Sequence, residues 1–331
     1  MSLPEEHGGG GKDRVSFVLS LMEVSKTAAS FAALAAANHS LYCSPLRIYG
    51  NQDQKRRYLQ PCASGKQIGS CALPEVDSGG QSLHIPTKAV RGRDGWTLQG
   101  VKRFVPNGAD SSFCIVSAVG SEGDAKPGWS SFIMDLREGQ GEGWAPRIGR
   151  TEQGFNILAL SGADITFENT RVNEDSLLGN LGEGMDHRST IQRESWLCIA
   201  ALAVGIGRGC FERAVETTTS KQARKSHPGE QLTQWKFADM AVSLDAAELL
   251  TLKAAWLKDH EKPHEREVAM ARVFASDAAM AAAADCIQIA GEGCKEPGLE
   301  DYLRKAKMCQ VSMGGNEGLG VLVARSLAKG K

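Results

Sequence analysis

The 331-residue sequence has almost no net charge: 38 Lys+Arg stand against 39 Asp+Glu, giving −1 at pH 7. So even a balance supplies no field to attract nucleic acid or an acidic membrane surface. It has no CxxC pair. Its nine cysteines are odd in number and never closer than eight residues, which excludes a disulfide framework and a zinc ribbon. They read instead as buried reduced thiols in a reducing compartment, cytoplasmic or mitochondrial. No run of about 18 apolar residues is present, so no segment reads as a transmembrane span. No signal peptide precedes the first structured segment. The abrupt opening MSLPEEHGGGGKD fits a cloning junction or a shortened gene start. No repeat of about 20–50 residues is present.

What is present falls into three blocks: 1–66, 67–180 and 181–331. In the first, Val15, Val18, Leu19, Met22, Phe31 and Leu34 recur at helical spacing, and a short helix is expected over about 51–63. In the second, short alternating runs are bounded by Gly, Pro, Asn or Asp. They are QIGSCAL, TKAVRG, GWTLQGVKRFV, SFCIVSAV, WSSFIMDL and LALSGADITFEN. Strands joined by tight turns predict an antiparallel β-barrel or sandwich. The third block returns to amphipathic helix, with Phe237, Met240, Ala241, Leu244, Ala247 and Leu250 on one stripe. Long helices with polar joints at 222–230 and 258–266 predict an antiparallel bundle whose last helix starts near Leu299. The fold class is α+β.

Local motifs point to little chemistry. His260-Glu261-Lys262-Pro263-His264 spells H-E-x-x-H, but the zinc pattern needs one unbroken helix, and Pro263 breaks it. Gly8–Gly11 follow no strand, so they are not a dinucleotide fingerprint. Gly205, Gly207 and Gly209 lie in a helical segment and predict close helix packing. The seven histidines and the serines form no Ser/His/Asp or Cys/His constellation at a defensible spacing.

Eight segments in order carry a resemblance. They are PEEHGGGG (4–11), LYCSPLRIYGNQDQKRRYLQPCASG (41–65), ALPEVDSGG (72–80), LQGVKRFVPNG (98–108), LLGNLGEGM (177–185), FADMAVSLDAAELL (237–250), IQIAGEG (287–293) and AKMCQVSMGGNEGLGVLVAR (306–325). Each is weak alone, but together, in that order and spacing, they resemble the flavin-dependent acyl-CoA dehydrogenase family along nearly the whole chain. The resemblance implies a helical N-terminal domain, a middle β-barrel and a C-terminal helical bundle. The chain starts inside the first domain, so opening helices that help wall the acyl pocket are expected to be missing. It also implies FAD, an acyl-CoA or related thioester as substrate, electron-transfer flavoprotein as acceptor, and a tetramer or dimer, homo- or hetero-oligomeric. In this chemistry a carboxylate takes the α proton while the β hydrogen leaves as hydride to the flavin.

The same resemblance exposes departures. The flavin-holding positions fall on Ala72, Leu73, Pro74, Gly79, Gly80, Phe104, Val105, Pro106 and Gly291. Pro74 and Pro106 stand where the family has Thr, and proline brings neither hydroxyl nor N–H. Phe104 replaces a Trp, and Gly80-Gln81 replace Ser-Asp. The usual base, a Glu before Gly, falls on Met313, while Glu317 matches another position. A minority of the family places the base on an earlier helix before an Arg, positions that fall on Ser195 and Trp196. Glu194 is adjacent and is the remaining carboxylate candidate. An Arg that meets FAD diphosphate across subunits is Ser220 here, with Arg224 nearby. Standard α,β-dehydrogenation by this chain alone is therefore expected to be impaired, leaving three expectations: an enzyme with an unusual base, a supporting subunit of a heteromer, or a thioester-binding protein.

Overall fold

The structure is a computed structural model that describes residues 1–73, 87–121, 128–138, 143–150, 162–219, 230–291 and 298–328. The chain divides into two compact units. One comprises Met1–Lys12 and Leu34–Ser195, the other Asp13–Ala33 and Trp196–Lys331.

In the first unit a helical N-terminal run leads into a sheet. The π-helical turn Asn38–Cys43 passes into α2 (Ser44–Tyr49), after α1 (Arg14–Ala37). Gly50 ends α2, and Asn51 restarts the chain with a reciprocal capping box. Its side chain accepts from the Gln54 N–H at 2.8 Å, and its own N–H donates to Gln54 Oε1 at 3.1 Å. The expected short helix then runs as α3 (Gln52–Gln54), the π turn Lys55–Leu59 and α4 (Gln60–Ala63).

Asn38 ties this helical run to the sheet. It donates to the Cys62 carbonyl and accepts from the Gly69 N–H at 2.8 Å, at the start of β1 (Gly69–Ala72). The other strands are β2 (Lys88–Arg91), β3 (Trp96–Val105), β4 (Phe113–Ser121), β5 (Gly128–Asp135), β6 (Arg147–Arg150), β7 (Ala163–Val172) and β8 (Leu177–Leu178). Their order is β6-β7-β3-β2-β4-β5-β8, with β1 beside β4.

Most neighbours are antiparallel, as the alternating runs imply. Two ladders are not: β1 and β2 both run parallel to β4, β1 along Phe113–Val116 and β2 along Val119–Ser121. One edge of β4 is thus shared end to end by two strands, while β5 covers the other. Period-2 alternation reports a half-buried strand but not its neighbour's direction, so the expected antiparallel barrel is realised as a mixed sheet. Trp96, Leu98, Val116, Phe132, Ile165 and Phe167 are nearly or fully buried in its core, with the Trp96 and Phe132 rings 5.3 Å apart. The β6 and β8 segments escaped the sequence reading because they are too short to show alternation.

The second unit is helical: α5 (Gly184–Thr219, from Trp196 on), α6 (Glu230–Asp259), α7 (Glu265–Ala290), α8 (Leu299–Val311) and α9 (Gly315–Ala328), plus the first part of α1. Gly205 and Gly209 let α1 lie directly on α5. A Cβ at Gly205 would sit 2.1 Å from the Met22 carbonyl oxygen, and one at Gly209 2.2 Å from that of Lys26. The packing role expected for these glycines is what the structure displays. The start of α1 is capped across the unit: the N–H groups of Arg14 and Val15 donate to the Asp259 carboxylate at 2.8–3.1 Å, an anion at the positive end of a helix. Leu19 and Phe31, expected on the apolar stripe of α1, are 44% and 64% exposed. The non-helical backbone of Ala28 (φ −125°, ψ 56°) breaks the phase of that stripe ahead of Phe31, and nothing in the structure explains Leu19, which precedes the break.

The expectation that nothing is long and apolar enough to cross a membrane is corrected. Arg14–Tyr49, Gly184–Thr219 and Glu265–Ala290 all qualify by length and composition. Alanine and scattered Val, Ile and Leu raise the average of each without forming a continuous apolar run. The apolar window of α5 is 89% buried within the fold, and α1 and α7 each bury part of theirs.

Candidate active site

Among the positions where the resemblance puts flavin contacts, the structure brings Ala72 and Val105 into one cluster. Ala72 ends β1 and Val105 ends β3, and both are fully buried. Leu73 follows at half burial. Between Lys102 and Val105 the β3–β7 register shifts, and Phe104 takes a left-handed backbone (φ 51°). Its N–H turns to the Asp164 carboxylate at 3.1 Å and its ring stands 62% exposed. An exposed aromatic face is a surface on which a planar ring system can lie. The polar half of the cradle is poorer: Pro106 has no N–H, and Asn107, with its Nδ2 on the Leu34 carbonyl, leaves a buried Oδ1 with no partner among the described residues. The apolar face thus fits a flavin, and the donor set at 106 does not. Pro74, Gly79, Gly80, Gln81, Ser220 and Arg224 lie outside the described residues. Gly291, in the second unit, ends α7 with φ 58°, a value that favours glycine.

The base position sits in a tight break between helices. Ser312–Gly314 is a single 3-10 turn separating α8 from α9, where the sequence reading saw one last helix. Met313 is left-handed at φ 50°, ψ 43°, a conformation that costs an L-residue about 1–2 kcal/mol. Three side-chain groups hold it. The Trp196 indole N–H donates to the Met313 carbonyl at 3.2 Å. Arg272 Nη1 donates to the same oxygen at 3.3 Å, and its Nη2 donates to the Ser312 carbonyl. Asn316, just beyond, is held by Ser276 and Asp277 of α7.

Arg272 is fully buried. Burial lowers its pKa to about 10, so it remains a cation at neutral pH. Its Nε has no hydrogen-bond partner among the described residues, and no ion pair with them reaches it. Nothing in the sequence reading singled it out, because an Arg inside an alanine-rich helix gives no signal of what it will face.

Glu194 is 4% exposed, a buried carboxylate. It lies two residues before Trp196 on α5, about 200° around the helix. The two side chains therefore leave α5 on nearly opposite faces. Ser195, between them, bonds the Ile191 carbonyl at 2.7 Å and Ser40. Glu317 is exposed on the first turn of α9, its Oε2 2.8 Å from where a Cβ on Gly315 would stand.

Comparison with known proteins decides the family. The model of the acyl-CoA dehydrogenase C-terminal domain matches residues 182–328, and that of the N-terminal domain matches 1–66. The chain belongs to the acyl-CoA dehydrogenase family. A probable acyl-CoA dehydrogenase of Bacillus subtilis, YngJ, is 35% identical over 98% of this chain and 86% of its own length. The mitochondrial short-chain specific acyl-CoA dehydrogenase of Bos taurus is 32% identical over 99% of this chain and 79% of its own. Among solved structures, butyryl-CoA dehydrogenase from Megasphaera elsdenii superposes with a TM-score of 0.90 at 27% identity, covering 99% of this chain and 86% of that one.

Other sequence candidates resolve simply. In this acyl-CoA dehydrogenase-family chain His260 and His264 flank the break between α6 and α7, and each Nδ1 turns to a nearby carbonyl. No single helix carries both, and among the described residues no cluster of three or more His, Cys, Asp or Glu is placed to hold a metal. Eight cysteines are free and buried. A cavity of about 520 Å³ lies at the Trp96 end of β3, lined by Arg93, Trp96, Met134, Trp144, Thr170 and Arg171 among others. Eight residues of extended strand, roughly 25 Å, separate Trp96 from Phe104, so the cavity is not part of the Phe104 surface.

Proposed function

We propose that the chain is an acyl-CoA dehydrogenase-like flavoprotein that takes an acyl-CoA thioester and FAD, with the proton-accepting duty removed from position 313. The observation that carries this is the Met313 turn. A thioether cannot accept a proton at neutral pH, yet the turn that bears it is held by Trp196 and Arg272. FAD, when bound, would supply a hydride acceptor. The Phe104 face would lie against its ring system, and Pro106 contributes no hydrogen bond to it. Similarity to short-chain and butyryl-CoA dehydrogenases favours a short acyl group. Glu194 is the buried carboxylate left to serve as base. Electron-transfer flavoprotein is the expected acceptor, the chain is expected to act as an oligomer, and the reducing compartment is cytoplasmic or mitochondrial.

A second reading is favoured by the same turn together with Pro106: a supporting subunit whose partner carries the chemistry. One experiment separates them. The purified protein is examined by visible absorbance with added FAD, then titrated anaerobically with butyryl-CoA. Flavin absorbance that bleaches, and fails to bleach in Glu194→Gln, supports the enzyme with a displaced base. Flavin that binds but does not bleach favours the supporting subunit. A protein that takes up no FAD yet is stabilised by butyryl-CoA overturns the flavoprotein reading and leaves thioester binding alone.

A further inference from the structure

We propose that Arg272 is a positioning residue for position 313. From α7 it brings a cation to the backbone of that turn, and it keeps the turn ready to hold an ionised group at 313. This deepens the reading above, because it rests on 313 being the base position.

The argument starts from what a buried guanidinium requires. Removing such a cation from water is costly unless its donors are met and its charge is balanced. Arg272 meets two carbonyl oxygens, those of Ser312 and Met313, and among the described residues it bonds no carboxylate. Its Nε is left over. The neighbouring ionisable group is the Cys309 thiol, whose own pKa burial raises to about 12, so it is neutral. A cation with no counter-ion among the described residues, aimed at the backbone of one strained turn, is more than a peptide clamp needs, since neutral donors can hold carbonyls. Trp196 does so for the same oxygen. What a guanidinium adds is charge, and the residue whose carbonyl it holds is the one that resemblance makes anionic.

A carboxylate introduced at 313 would therefore lie near an unneutralised buried cation. An opposite charge within about 4–6 Å lowers a carboxyl pKa by roughly 1–3 units. A purely structural role for Arg272 would also destabilise the turn on mutation, so stability alone does not test the idea. The pKa does, and it needs neither flavin nor substrate, so its outcome is independent of whether the chain binds FAD or oxidises a thioester.

The test uses the full chain carrying Met313→Glu with the introduced side chain 13C-labelled, titrated by NMR in three backgrounds: Arg272, Arg272→Lys and Arg272→Gln. The expected result is a carboxyl titrating below the ordinary Glu value of about 4.3 beside Arg272. It should stay low beside Lys and rise by about one unit or more beside Gln. If Arg272→Gln does not fold, the Lys background decides. It keeps the charge but loses the planar fork, so the pKa should stay low while amide exchange at Gly314 and Gly315 speeds up. A carboxyl at or above the ordinary value with Arg272 present, or one that ignores the residue at 272, overturns the proposal.

Discussion

Gly205→Ala in α5 should destabilise the protein, although alanine is the better helix former. The Cβ would arrive 1.9 Å from Ser25 Oγ and 2.1 Å from the Met22 carbonyl oxygen, with the Met22 carbonyl carbon at 2.9 Å. The Ser25 hydroxyl can rotate away, but the carbonyl belongs to the backbone of α1 and moves only if that helix lifts off α5. Overpacking of this kind costs about 1–3 kcal/mol, sometimes more. Helix propensity returns roughly 1 kcal/mol at most; because the clash is with backbone, the upper part of that range, about 2–3 kcal/mol, leaves a net loss of about 1–2 kcal/mol or larger. At roughly 2–4 °C per kcal/mol for a chain of this size class, thermal denaturation should show Tm lower by about 2–8 °C. The matched control is Gly318→Ala in α9, where a Cβ meets nothing within 4 Å. That substitution should raise stability by about 0.5–1 kcal/mol. If both alanines stabilise the protein, the close approach of α1 to α5 is wrong and so is the reason for the glycines.

His187 is buried, with Nδ1 3.0 Å from Ser131 Oγ and its ring 4.1 Å from that of Tyr49. Burial lowers its pKa, outweighing Glu183 and Asp186. The unfolded chain therefore takes up this proton first, so stability should fall as pH drops below about 6.5 and level off below the folded value; a urea midpoint flatter with pH in His187→Gln would show it. Burial raises the Cys309 thiol to about 12, leaving a thiolate fraction of about 10⁻⁴ at pH 8 by its distance from that value. Peptide mass spectrometry after iodoacetamide should find Cys309 unmodified in the native protein and modified in urea, and fast native labelling would contradict its burial. Pro106→Thr restores one N–H and one hydroxyl at the Phe104 surface. A hydrogen bond worth about 1 kcal/mol should tighten FAD binding about fivefold by fluorescence titration, and unchanged affinity would mean that 106 does not face the flavin.

Helix and strand positions were legible because periodicity reflects burial directly. Val18, Met22, Met240 and Leu244 fall on their expected faces and are buried. The failures have local causes. The α8–α9 break was missed because its signal, Met313-Gly314-Gly315, reads as a weak helix rather than a turn, and only the left-handed backbone of Met313 reveals it. The parallel ladders of β4 were missed because direction is set by connections, not by alternation. Position 313 was singled out only through resemblance, and Arg272 not at all, since a residue's partners 40 positions away leave no periodic trace.

The combination at Met313 constrains what the protein can have lost. A turn that had only to join two helices would relax toward a glycine or an unstrained backbone, because left-handed Met at about 1–2 kcal/mol and a buried unneutralised Arg are both destabilising. Both persist here, and the hydrogen bonds from Trp196, Arg272 and the Asn316–Ser276 pair oppose that relaxation. The backbone of the turn at 313 is thus firmly held, and on the proposed reading only a proton acceptor is missing from it. If geometry alone limits the chain, Met313→Glu should bring α-proton exchange of butyryl-CoA into deuterated solvent above the wild-type rate, read by mass spectrometry. If exchange stays at the wild-type level while the introduced carboxyl titrates low beside Arg272, the deficit lies in substrate or flavin placement, which returns attention to Pro106 and the Phe104 face.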